Sequence, residues 1–569
     1  MGQFKGQLTI RGVLIGSIGC IVISATSVYI ALKMGALPWP IIFAALISLF
    51  FLKALGKTNY HEVNVTHTIM SGGAMVAGGL AFTIPGIWII GAGEVSLWQM
   101  FVVAIAGVVL GALCTAGLRK YFIEDTQLEF PIGTAAASTI VAGDKGGKMG
   151  LKLLCSMGLA GVYTALRDWF LAIPTVIFGS VSIPGVAFGI YNSPMLLAVG
   201  FLVGTASVVV LFIGALLGNF GIIVGGSGFG LWDVTTAQGI TASLGMGTMM
   251  GCGFGVVIKN IVPKVASLLK DMAKRKPLEA SEGTQPAPHG TRQRTAAKLK
   301  MLPAGIAACV MAAVALLICF LLQLDPLPCV IVVVLAWVTT AMSAQSVGQT
   351  GIDPMEIFGL IVLLIVAALS HTPQVQLFFI AGIIAVTCGF VGDLMNDFKA
   401  GHLLGTNPRA QWVGQALGGV LGAIVAVVVM GALLGAYGAS SFGPGGSFIA
   451  AQASVVATMV AGVPSMPAFL AGLTIGFVLY LLGAPVMMLG LGIYLPFCMS
   501  FTVFLGAMAK LVFDAVGRRR ARGKLEEERE ARTKSSEESG LIVASGLLGG
   551  ESVVGIIIAF IVVAMSLAA

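Results

Sequence analysis

Asn64, His67, Thr68 and Ser71 stand at i, i+3, i+4 and i+7, so a helix would line them up on one face. An amide, an imidazole and two hydroxyls on one stripe can bind a polar solute, and the imidazole can exchange a proton near neutral pH. The stripe opens a segment that then runs apolar to Phe82. A capped interfacial helix start would account for Asn59 to Glu62. It does not account for His67 and Ser71, which lie deeper in the span, where a polar side chain is costly unless it faces protein or a water-filled path.

Four carboxylates are candidates for proton coupling. Glu62 sits one turn below the stripe. Glu129 precedes a Pro131-Ile132-Gly133 break, after which Thr134 and Ser138 would line a half-helix. Asp397 falls in a polar stretch, 392–402, read as a loop, and Glu551 interrupts the last apolar segment after a Gly-rich break. Partial burial would raise a carboxyl pKa toward neutrality, which favours Glu129 and Glu62. Gln345 adds a polar group in 343–356, where Asp353-Pro354 reads equally as ordinary helix-start chemistry. Gln411 and Gln415 share one face, with Gly414, Gly418 and Gly422 as a close-packing ridge. Arg409 could hold a carboxylate bidentately or simply reach the interface.

Other chemistries are disfavoured. His61-Glu62 and His67 are spaced six apart, not the four that a zinc-protease helix needs. No Walker loop occurs, and the nine Cys include no C-x-x-C pair, so neither metal nor cofactor is expected. Asp125 and Asp397 lack any protease context, which leaves a membrane-embedded enzyme or a solute channel as the alternatives to a transporter.

The elements that must position these groups are membrane helices. Of 569 residues 57% are hydrophobic and 10% charged, and the mean hydropathy is +1.00. That composition marks an all-α polytopic membrane protein, and 77 Gly suit close helix packing and broken helices. Apolar segments run at 12–34, 37–55, 66–82, 98–117, 151–166, 195–217, 240–262, 302–322, 328–342, 357–370, 377–391, 412–434, 468–482, 489–513 and 541–567. Short or Gly-rich stretches at 130–142, 221–232, 448–463 and 545–551 read as discontinuous or re-entrant segments, giving about 16 in all. The first apolar segment is too long for a signal peptide and reads as a retained span.

The net charge of +8 is concentrated in two basic segments, 264–300 and 518–538. The positive-inside rule places both, with Lys5 and Arg11 at the N-terminus, in the cytoplasm. Being short, flanked by spans and free of interleaved aromatics, they read as topogenic loops and not as nucleic-acid surfaces. The linker divides the chain into a first transmembrane half, 1–263, and a second, 301–569. A fixed offset of 272 relates Asp125 to Asp397 and Gly133-Thr134 to Gly405-Thr406, so two related halves are expected.

Stretches 59–68, 130–137, 351–356, 405–411 and 545–552 together resemble, in order, motifs of the oligopeptide transporter (OPT) superfamily, which includes the yellow stripe-like metal–chelate transporters. The resemblance spans most of the chain. It implies a secondary active symporter of about 16 spans, built by duplication and driven by protons. Its substrates would be short peptides or peptide-like metal chelates, its surroundings the lipid bilayer, and its assembly a homodimer. The short N-terminus resembles the bacterial branch, implying the inner membrane.

Overall fold

The computed structural model describes residues 6–35, 37, 41–125, 128, 130–142, 147–256, 258–259, 304–350, 353–461, 464–521 and 526–568. The linker expected at 264–300, and Glu129, lie outside the described residues.

The first half holds α1 (Ile10–Met34), α2 (Ile41–Ala54), α3 (Tyr60–Ala81), α4 (Pro85–Ile90), α5 (Leu97–Arg119), α6 (Pro131–Ala142), α7 (Gly147–Thr164), α8 (Pro194–Val203), α9 (Thr205–Ala215) and α10 (Val234–Val256). The second half starts with α11 (Ala304–Leu321), α12 (Pro326–Thr350), α13 (Met355–Leu369), α14 (Gln374–Leu404) and α15 (Pro408–Tyr437). It continues with α16 (Ala451–Ala461), α17 (Met466–Leu481), α18 (Val486–Tyr494), α19 (Phe497–Ala521) and α20 (Glu526–Ala568). The described strands are β1 (Val176–Ile177) and β2 (Ile190–Tyr191), antiparallel with Val176 opposite Tyr191.

The helical membrane architecture agrees with the sequence. Among the described residues eight helices are long and apolar enough to cross a bilayer, and six shorter apolar helices accompany them. These alone do not reach the expected count of about 16. The half-helices expected at 130–142 and 448–463 are α6, of 12 residues, and α16, of 11. The span expected at 195–217 is divided between α8 and α9 by Gly204, whose φ of +97° a residue with a Cβ rarely adopts.

Two expectations about backbone differ. The stretch around Asp397 is no loop, because α14 runs unbroken to Leu404, where Gly405 ends it in the left-handed conformation. The break expected at 545–551 is likewise absent. Gly546 and Gly550 lie inside the continuous α20, where added Cβ atoms would strike the α7 carbonyls of Leu153 and Met157. Those glycines permit close approach and do not interrupt the helix. Residues 518–521 and 526–538 of the segment read as a basic loop are also helical, in α19 and α20.

The centre of the bundle is formed by α3 and α14, buried along almost their whole length, with α1, α15, α5, α12 and α13 packed around them.

Candidate functional site

Asn59 starts α3, its side-chain Oδ1 accepting from the Glu62 amide at 2.9 Å. From that start, helical spacing puts Asn64, His67, Thr68 and Ser71 on the face toward α14 and α15, each fully closed from solvent. In α14, Asp393 and Asp397 lie one turn apart, and in α15 so do Gln411 and Gln415; all four are also fully buried. Close packing makes this possible. A Cβ on Gly422 of α15 would strike the backbone of Gly73 in α3, and one on Gly401 of α14 would strike the Gln411 amide.

These faces make one polar seam. His67 Nε2 lies 2.9 Å from Asp397 Oδ1, and Ser71 Oγ donates to Asp397 Oδ2 at 3.4 Å. Gln411 Nε2 donates to the Asp397 carbonyl at 2.6 Å, and Gln415 Nε2 to Asp393 Oδ2 at 2.7 Å. At the end of α14, Asn64 Nδ2 donates to Thr406 Oγ1 at 3.1 Å, while the Gly133 amide of α6 donates to Asn396 Oδ1 at 3.2 Å. Thr68 spends its hydroxyl on the Asn64 carbonyl within α3.

The seam is only partly satisfied. Asn64 Oδ1, His67 Nδ1, Asp393 Oδ1, Gln411 Oε1 and Gln415 Oε1 are buried with no hydrogen-bond partner among the described residues. Native interiors leave few such groups, so a run of them in one place singles out this seam as the candidate site. A carboxylate beside an imidazole in a dry setting can pass one proton between them, and the surrounding amides can bind a polar solute once the helices part.

The remaining candidates lie elsewhere. Glu62 is held outside the seam: Arg11 Nε and Nη2 donate to its two oxygens at 2.7 and 2.6 Å, and Thr9 and Thr58 donate as well. Glu551 is buried in a second polar cluster. There it accepts from Arg167 Nη2 at 3.0 Å and from Ser193 Oγ and the Met195 amide, each at 2.8 Å. Gln345 is buried on α12, outside the seam's hydrogen bonds. Thr134 is exposed on α6, and Arg409 is exposed at the first turn of α15. Ser138 lies in α6, and its side chain is outside the described residues. The residues missed as site members are Asp393, Asn396, Thr406 and Arg167. Signals were visible in Asp393, one turn before Asp397, and in Arg167, one of two adjacent charges at the end of an apolar segment.

Buried polar side chains thus converge between long apolar helices of a length that crosses a bilayer. The chain belongs to the family described as OPT oligopeptide transporter protein, which it matches over residues 7–562. It is similar to a Haemophilus influenzae protein described as "Putative oligopeptide transporter", 24% identical across 94% of this chain and 92% of the relative. A shorter likeness, 34% identical over 110 residues, links it to a Saccharomyces cerevisiae protein of like description, across 18% of this chain and 15% of the relative.

Proposed function

We propose that this chain is a proton-coupled symporter for short peptides or peptide-like solutes, metal chelates included, with His67 and Asp397 as its coupling pair. The observation that carries the reading is the contact between His67 Nε2 and Asp397 Oδ1, fully buried and ringed by amides with unpaired oxygens. Peptides present amides, an ammonium and a carboxylate, and distributed Asn, Gln and Ser groups match such a solute better than one strong charge does. The peptide class is supported by the descriptions of the family and its relatives. A proton that loads the pair when the seam opens to one side, and leaves when it opens to the other, would couple its gradient to the solute.

Among the acids expected to couple, the geometry favours Asp397 over Glu62, whose oxygens are already taken by Arg11, Thr9 and Thr58. The proposal includes two related halves around the seam, a homodimeric assembly, an inner-membrane location, and a cytoplasmic N-terminus, supported by Arg11 and the basic segments.

The test is uptake of labelled peptides and metal chelates into liposomes holding the purified protein under an imposed pH gradient. Wild type should concentrate at least one solute only with the gradient. Asp397→Asn should keep solute exchange while losing accumulation. Normal accumulation by Asp397→Asn, or gradient-independent uptake by wild type, would refute the coupling role.

A further inference from the structure

The seam contains an acid that the His67–Asp397 pair does not use. Asp393 meets no cation among the described residues. Its carboxyl meets neutral groups, Oδ2 accepting from the Gln415 amide with the Ser71 hydroxyl also turned to it, and Oδ1 has no hydrogen-bond partner among the described residues. Gln415 Oε1, on the side chain that holds Asp393, is unpaired too, and both residues are fully buried. The Gln415 oxygen points at α3, where a Cβ built on Gly72 would lie 3.2 Å from it. Ser71, the preceding residue, brings its hydroxyl to the neighbouring Asp397.

The titratable groups around Asp393 come from each packed element. α14 contributes Asp397, and α3 contributes His67. The connection between α12 and α13 contributes Asp353, whose Oδ2 lies against Gly392. α1 contributes Cys20, whose thiol donates to the Gly418 carbonyl at 3.3 Å. α15 contributes only the Gln411 and Gln415 amides. Acids therefore outnumber the one imidazole, and a dry carboxylate without a counter-charge is strongly disfavoured.

We infer that Asp393, with the Gln415 oxygen and the Ser71 hydroxyl, forms a second monovalent-cation site, separate from the proton held by His67 and Asp397. Its occupant is either a second proton or an alkali-metal ion. Carboxylate, amide and hydroxyl oxygens are hard donors suited to both, and neither thiolate nor imidazole is required. Only the site's role in transport rests on the symport reading; its occupancy does not. Within that reading the solute moves with two cations per cycle.

The experiment uses the purified full chain in lipid nanodiscs, comparing sodium chloride with choline chloride at equal ionic strength. Thermal unfolding is followed alongside the infrared stretching bands of protonated carboxyl groups across a pH titration. If sodium occupies the site, it raises the unfolding midpoint saturably in wild type and in Asp397→Asn, but not in Asp393→Asn. If a proton does, sodium has no effect, and a titrating carboxyl band is missing from Asp393→Asn and retained in Asp397→Asn. Gln415→Met keeps both acids and removes the amide, guarding against misfolding of Asp393→Asn. It should weaken the sodium response about tenfold, or shift that carboxyl band. An Asp393→Asn or Gln415→Met protein matching wild type in both readouts overturns the inference, as does a wild type showing neither signal. Failure of gradient-driven uptake in wild type would instead sink the symport reading and leave these readouts untouched.

Discussion

Asp397 is gripped from three directions, by His67 and Ser71 of α3 and, at its own carbonyl, by Gln411 of α15. A side chain held this way reports any separation of the helices. His67→Gln, which keeps a donor near Asp397 but cannot carry a charge, should leave the protein folded and abolish pH-driven accumulation in liposomes. Retained accumulation would move the coupling proton off the imidazole. Glu62 belongs to a different kind of residue, with both oxygens occupied by Arg11, Thr9 and Thr58. Glu62→Gln should lower stability by about 1–3 kcal/mol in denaturant melts, as expected for losing charged hydrogen bonds, while coupling survives. Coupling lost with stability intact would restore Glu62 as a proton carrier. The polar face of α3 was legible in the sequence because four residues kept helical register. The depth of Asp397 was not. Gly392, Asn396, Lys399 and Gly401 around it imitate a loop, and only the long-range partners on α3 and α15 show why a helix there is stable.

At the scale of elements, the seam depends on how closely α15 lies on α3. Its Gly ridge was readable from the spacing of Gly414, Gly418 and Gly422, but the face it meets, around Ile69 and Gly73, was not. Gly422→Val should force the two backbones apart, costing about 1–3 kcal/mol by thermal unfolding and weakening uptake. On α7, a Cβ at Gly158 meets nothing within 4 Å, so Gly158→Ala should be neutral or stabilising by up to about 1 kcal/mol. If both substitutions behave alike, close approach is not what the ridge supplies. Glycine alone does not announce its purpose. Gly204 breaks a helix, whereas Gly546 and Gly550 leave one intact and let α7 nestle against it. The difference lies in partners far along the chain, which local sequence does not display.

For the whole molecule, the second buried cluster ties the first half of the chain to its last helix. Arg167, just past α7, meets Glu551 on α20, and Asp168 shares the guanidinium. Among the described residues, removing Glu551 leaves Arg167 with Asp168 alone as counter-charge and takes their acceptor from Ser193 Oγ and the Met195 amide. Glu551→Leu should therefore destabilise the protein by about 1–3 kcal/mol. The double variant Arg167→Met with Glu551→Leu should recover part of that loss in the same thermal unfolding assay. A double variant no better than the single would show that the pair is not coupled. The grip on Glu551 acquires a mechanical meaning from the length of α20. Its 43 residues make a rod about 65 Å long, well beyond the roughly 40–45 Å of a bilayer with its headgroups. The charged first third thus overhangs the membrane, while Arg167, Ser193 and the Met195 amide hold Glu551 in the buried part of the rod. With no break in α20, the overhanging turns and the turns around Glu551 belong to one continuous helix, so the part outside the bilayer and the buried ion pair share a single rigid element.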